Sequence, residues 1–334
     1  MISHTPPIYF YLSPKEWPDR VPNSINESWA MYKGGANSWA LNTYLYLKQY
    51  SFPCKLVNQV PEKGIFLAYR TSLPTNFKPH KQLLFICMQG DISRHPFAQL
   101  HIVQNPQNTL PYSMPRSDRY LFPGKSIHIN HWTQPELIPR NPQRGNKFEN
   151  IAYLGRAHNI APELRSQNWK DKLLEIGLNW KIIEEHQQWK DYSEVDAIIA
   201  VRSFDTNTYP TKPGTKLYNA WLAGVPAILG NDSAFELERK SDLDYVKVTT
   251  FEEALEALKR LRQDLEFRQK MITNCKQRSE EVKPEALAKK WQNFLINIAT
   301  PAYEQWCISP RTSQMVFLSG RSLGLKLKQL SGTL

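Results

Sequence analysis

The chain has 334 residues, more than one ordinary hydrophobic core holds and enough for two domains of typical size. Apolar residues at 41% and charged residues at 22% exclude a largely disordered chain, and 42 Lys and Arg against 31 Asp and Glu leave +11, a balance that favours anionic partners. Four scattered cysteines (Cys54, Cys87, Cys275, Cys307) exclude a C-x-x-C zinc or dithiol site and point to a reduced, cytoplasmic chain.

Taken in chain order, IYFYL (Ile8–Leu12) reads as the first strand; it is too short for a signal-peptide core and lacks a basic stretch before it. After a loop carrying Gly34 and Gly35, ANSWALNTYLYLKQYS spaces Trp39, Leu41, Tyr44, Leu45 and Leu47 as an amphipathic helix does. Pro53–Val57, Gly64–Arg70, Gln82–Gln89 and Ala98–Asn105 are short apolar runs between turn-forming residues, hence strands. Residues 132–147, WTQPELIPRNPQRGNK, hold three prolines and no apolar period, the composition of a linker.

A second alternation follows: FENIAYLG as strand, LRSQNWKDKLLEIG as helix, LNWKIIE and VDAIIAV as strands, TKLYNAWLAG as helix, AILG and YVKV as strands. LYNAWLAGVPAILGN is the longest uncharged stretch near the middle, but Gly224 and Pro226 break it well short of the ~20 continuous apolar residues a membrane span requires. From Phe251 to about Ala299 the period is helical. The expected fold is therefore α/β, with two Rossmann-like parallel-sheet domains: residues 1–131, a linker at 132–147, and residues 148–300. A tail, 301–334, closes the chain. Within it Arg311, Arg321, Lys326 and Lys328 interleave with Met315, Val316, Phe317, Leu318, Leu323, Leu325 and Leu327, and no acid follows Arg311. Such a segment either rests on an anionic membrane surface, the inner face for a cytoplasmic protein, or docks as a terminal helix on the protein itself.

In parallel sheets, ligands collect where strands end and helices begin, because free N–H groups there favour anions. Three places meet that rule. Gly34-Gly35 opens a helix and suits either a close ligand or a plain flexible loop. Gly155-Arg156 ends a strand with a guanidinium that can fork onto a diphosphate or simply face water. The third is DAIIAVRSFDTNTYPTKPGTKLYNAWLAG, where Arg202 leaves a strand and Lys212 and Lys216 flank a helix start. Cations there oppose the helix dipole, so a bound anion is the expected compensation.

The run T-K-L-Y-N-A-W-L-A-G-V-P-A-I-L-G (Thr215–Gly230) resembles the donor-site helix of GT-B glycosyltransferases, closest in wording to that of α-1,3-fucosyltransferases. Gly34-Gly35 is similar to the glycine-rich loop after the first strand of that superfamily, and Gly155-Arg156 to the G-R that opens its second domain. The resemblance implies two domains facing a cleft, with a UDP- or GDP-type nucleotide sugar held by the C-terminal domain and a glycan, lipid-linked or protein acceptor by the N-terminal one. It also implies transfer that needs neither metal nor cofactor.

On that reading Arg156, Arg202, Lys212 and Lys216 hold the diphosphate, and Asn219 stands where relatives carry a ribose-binding glutamate. The acidic pair of the retaining members would fall at Thr211 and Asn219, and the glutamate before the lysine at Thr215, and none of these is acidic. A non-catalytic protein that binds a sugar nucleotide or glycan is the alternative. For a general base, QGDISRHP offers Asp91 and His95 just after a strand, ahead of His128 and His131 near the linker. No RNP-type or zinc module accompanies the positive charge, so nucleic acid is not an expected partner.

Overall fold

The computed structural model describes residues 6–28, 34–110, 121–122 and 124–330. The chain divides into two compact units, one formed by residues up to 132 together with those from 287 onward, the other by residues 133–286.

Unit 1 is built on a six-stranded sheet: β1 (Ile8–Tyr11), β2 (Lys55–Val57), β3 (Gly64–Tyr69), β4 (Leu83–Met88), β5 (Leu100–Val103) and β6 (Lys125–His128), in the order β2-β1-β3-β4-β5-β6. Every pair is parallel. Parallel strands covered on both faces are apolar throughout rather than alternating, and β4, LLFICM, is buried along its whole length. Ile65, Leu67, Leu84, Ile86 and Met88 share one core with Trp39, Leu45 and Leu47 of the helical stretch that runs from Ala36 through α1 (Asn42–Gln49). Phe66, Ala68, Phe85 and Cys87 form another with Tyr11, Leu73 and Ala98. β6, with the sequence KSIH, lacks the apolar run that marks its neighbours and goes unread in the sequence.

Unit 2 carries β7 (Asn150–Leu154), β8 (Asn179–Ile183), β9 (Ala197–Ala200), β10 (Ala227–Leu229) and β11 (Val246–Lys247), again all parallel, in the order β11-β10-β9-β7-β8. Its helices are α2 (Gln167–Glu175), α3 (Thr215–Ala223), α4 (Ser233–Glu238), α5 (Phe251–Gln263) and α6 (Leu265–Ser279). The helical period read from Phe251 to Ala299 is interrupted at Asp264, whose Oδ1 accepts the Phe267 N–H at 2.9 Å and starts a new helix.

Two boundaries differ from the expectation. α7 (Pro284–Phe294) places Leu287, Ala288, Trp291 and Phe294 in the unit 1 core, so the second unit ends before 300. Together with α8 (Thr300–Ile308) and α9 (Arg311–Leu330), the C-terminal helices belong to unit 1. Much of the proline-rich stretch from 133 is structured against unit 2: Arg140 N–H donates to the Ala223 carbonyl at 3.0 Å and its guanidinium pairs with Asp196 at 2.8 Å. Buried Asp196 also accepts from Arg144 at 2.7 Å, and these bonds hold its carboxyl below the usual range despite burial. No helix among the described residues is long and apolar enough to cross a membrane.

Candidate functional site

The order of the unit 2 sheet reverses between β7 and β9, and a sheet of this kind opens a crevice at the carboxyl ends of those two strands. β7 leads into Gly155 and Arg156, β9 into Val201 and Arg202, and α3 begins shortly after. The Lys216 ammonium lies 4.9 Å from the centroid of the Tyr153 ring and 5.7 Å from that of Trp189. A Cβ on Gly155 would stand 2.9 Å from Lys216 Nζ, so the bare glycine backbone is what leaves the ammonium its place. Burial, and then the charge of Arg202, pull the Lys216 pKa from 10.5 down to about 7.

The local sequence explains where α3 starts and stops. Gly214 precedes it and provides no capping side chain; a Cβ there would meet the Tyr218 ring at 2.8 Å. Gly224 ends it in the left-handed region at φ 68°, Val225 N–H donates to the Ala220 carbonyl at 3.1 Å, and Pro226 cannot continue a helix. Leu217, Tyr218, Ala220 and Trp221 bury the rest of the helix. The uncapped N-terminus, with its positive dipole end, is thus held rigidly beside Lys216.

Arg202 Nε donates to Asp232 Oδ2 at 2.8 Å, and its guanidinium lies 5.6 Å from the centroid of the Tyr209 ring. Asp232 is 1% exposed and its Oδ1 has no hydrogen-bond partner among the described residues. Burial pushes its pKa up against the pull of Arg202 and Lys212. The loop between Arg202 and α3 is pinned: Ser203 Oγ meets Tyr209 Oη, Asn231 Nδ2 donates to the Thr206 carbonyl at 3.1 Å, and Ser233 N–H to the Thr208 carbonyl at 2.7 Å. Arg156 is exposed on the loop after β7, where the Ala157 N–H donates to Glu184 Oε1 at 2.8 Å.

In unit 2 the charge of Arg202 thus reaches both Lys216 and the buried Asp232, which also feels Lys212, with Arg156 on the adjoining loop. Asn219 is used differently. It is buried, and its Oδ1 accepts the Gln134 N–H at 3.0 Å, which fastens the start of the proline-rich stretch. Asp232, Tyr153 and Tyr209 were not singled out from the sequence; the signal for Asp232 was its position just past the end of β10.

The unit 1 order reverses between β1 and β3. Gly34 has φ 122° and open space about it, whereas a Cβ on Gly35 would fall 2.2 Å from atoms of the Tyr69 ring, and one on Gly90 2.5 Å from Tyr69 Oη. Gly35 is therefore explained by the tyrosine that ends β3. Asp91 follows β4 and its Oδ1 accepts from the Gln104 amide. His95 does not share that setting. It is fully buried, Nε2 donates to the Pro74 carbonyl at 3.0 Å, Nδ1 accepts the Phe97 N–H at 3.2 Å, and the ring stands edge-on to Phe85 at 4.8 Å. With both nitrogens committed and burial depressing its pKa to about 4, it is a core residue rather than a base.

His131 is placed otherwise. Its ring stacks on Trp39 at 5.8 Å, and Nδ1 lies 3.0 Å from the Trp132 carbonyl. A carbonyl only accepts, so Nδ1 carries the proton and Nε2 keeps a lone pair. Burial lowers its pKa, opposed by that carbonyl and by Asp91, so the ring is neutral at pH 7. His128 is pushed down to about 4 by burial and by Lys290. Among the described residues no group of three or more His, Cys, Asp or Glu could hold a metal ion.

No family model matches the chain, and no curated protein matches it. Among solved structures it is similar to HepE from Anabaena in complex with UDP, at 11% identity and a TM-score of 0.50, over 87% of this chain and 100% of that one. The HepE complex with UDP and glucose gives 10% identity and 0.50 over 88% and 100%. AviGT4, a glycosyltransferase involved in avilamycin A biosynthesis, gives 11% and 0.49 over 91% and 99%. The two parallel-sheet α/β units and the likeness to HepE establish the GT-B glycosyltransferase fold.

Proposed function

We propose that this chain is a glycosyltransferase that takes a sugar from a nucleoside-diphosphate donor, of UDP or GDP type, and passes it to a glycan, lipid-linked or protein hydroxyl without a metal ion. The observation that carries this reading is the Lys216 ammonium seated against Gly155 and beside Arg202 at the reversal point of the unit 2 sheet. A diphosphate is the anion that suits two or more converging cations and an uncapped helix N-terminus.

In the reaction the acceptor oxygen forms a bond to the anomeric carbon while the bond from that carbon to the phosphate oxygen breaks. The electron pair leaves with the nucleoside diphosphate, and Lys216, Arg202, Lys212 and Arg156 stabilise its charge as it develops. Where the acceptor hydroxyl displaces the diphosphate directly, its proton needs a base, and His131 Nε2 in unit 1 replaces His95 as the candidate, with Asp91 as the nearby carboxylate that favours the protonated ring.

The test is release of free nucleoside diphosphate from UDP-, GDP- and ADP-sugars, with and without a panel of acceptors. Turnover with one donor supports the enzyme. Stabilisation by a nucleotide with no release from any donor would instead favour the non-catalytic binding protein, an outcome in keeping with the missing acidic residues at Thr211 and Asn219.

A further inference from the structure

Helix α9 packs on unit 1 along one side and leaves a second apolar side uncovered. On the packed side Leu325 shares a small core with Phe97 and Phe122, the Gln314 amide donates to the Trp306 carbonyl at 2.7 Å, and Arg321, 6% exposed, reaches the Leu121 carbonyl at 3.4 Å. Arg321 therefore belongs to the interior, although the sequence groups it with the surface cations. On the other side Met315, Val316, Leu323, Leu327 and Leu330 are between 47% and 85% exposed. At 3.6 residues per turn these five fall within one arc of about 120°. Val316, Leu323 and Leu327 also line a groove of ≈ 280 Å³ together with Leu121 and Phe317.

We propose that α9 is an interfacial helix that seats the protein on an anionic lipid bilayer, its uncovered stripe entering the headgroup region. Charge selects this occupant. Arg311 is exposed at the edge of the stripe and Lys326 within its arc, Lys328 lies on the packed side over the Phe122 ring at 5.9 Å, and the twenty residues of the helix include no acid. A second copy of the same face would set Arg311 and Lys326 against cations of the same sign, whereas acidic headgroups would neutralise them beside the apolar side chains. The wider chain carries +11, which adds attraction of the same sign.

The experiment is co-sedimentation of the full chain with phosphatidylcholine vesicles that contain or lack phosphatidylglycerol, alongside sedimentation equilibrium without lipid. Binding to the anionic vesicles alone is expected. Val316→Glu/Leu323→Glu should bind at least about tenfold more weakly while melting like the parent, since both side chains are exposed. Arg311→Gln and Lys326→Gln should each weaken binding about fivefold, and added salt should do the same. Failure of the parent chain to bind anionic vesicles overturns the proposal, as does equal binding by Val316→Glu/Leu323→Glu. A dimer that this variant dissociates, without vesicle binding, would also overturn it and make the face an interface between copies.

Discussion

Lys216 would couple the proposed donor site to protonation. An ammonium with a pKa near 7 is only partly charged at neutral pH, and a diphosphate bound beside it, as proposed, would restore the charge. Nucleotide binding near pH 8 should therefore take up a fraction of a proton, read by calorimetry in buffers of different ionisation enthalpy, and Lys216→Met should abolish the uptake and weaken binding by about 1.5–3 kcal/mol. Stability without ligand follows from the same shift. The unfolded lysine holds its proton to near 10.5 and the folded one only to about 7, so between those values the unfolded state binds more protons and stability rises with pH. That rise should appear in the difference between the parent and Lys216→Met melting curves. Gly155→Ala is a second probe, because its backbone has φ 157°, which a side chain strains, and its methyl would stand 2.9 Å from both the ammonium and Tyr153 Oη. It should cost about 1–3 kcal/mol of stability in chemical denaturation and weaken nucleotide binding as well. At this scale the sequence told much about cations at strand ends and little about histidines. Lys216 and Arg202 are positioned by the strand-to-helix order, which periodicity reveals, whereas His95 sits in a turn whose direction depends on Phe77, Phe85 and Phe97 closing round it.

Among the elements, α3 and β10 were the most legible, since Gly214, Gly224 and Pro226 mark the ends of the helix by chemistry that acts locally. Their flanking loop was not, because its shape rests on long-range bonds such as Ser233 N–H to the Thr208 carbonyl. β6 was missed because KSIH pairs with β5 through its backbone while its side chains stay partly exposed. α7 shows the opposite limit: an amphipathic helix announces an apolar face but not the core that will receive it. Trp291 is fully buried against Phe10 of β1, with ring centroids 6.3 Å apart. Trp291→Ala should destabilise the protein by about 3–5 kcal/mol in chemical denaturation. Native-state hydrogen exchange should place the added opening in β1, β3 and α1, the elements sharing that core, with unit 2 strands less affected.

For the whole molecule, length and the repeated strand–helix alternation disclosed two parallel-sheet units, and each has its own extensive core. A nucleotide that binds unit 2 should slow amide exchange in β7, β9 and the start of α3 by an amount set by concentration over Kd, about 2.7 kcal/mol at a hundredfold excess. Exchange unchanged throughout unit 2 at saturating nucleotide would count against the site. The return of residues 287 onward to the first unit has a consequence in time. A ribosome releases the first six strands early, but Leu287, Trp291 and Phe294, which cover one face of their sheet, emerge only after the whole of unit 2. At about 5–20 residues per second that delay lasts on the order of ten to thirty seconds. Unit 2 has all its strands in hand before unit 1 can close, so the part of the chain made first is the part finished last.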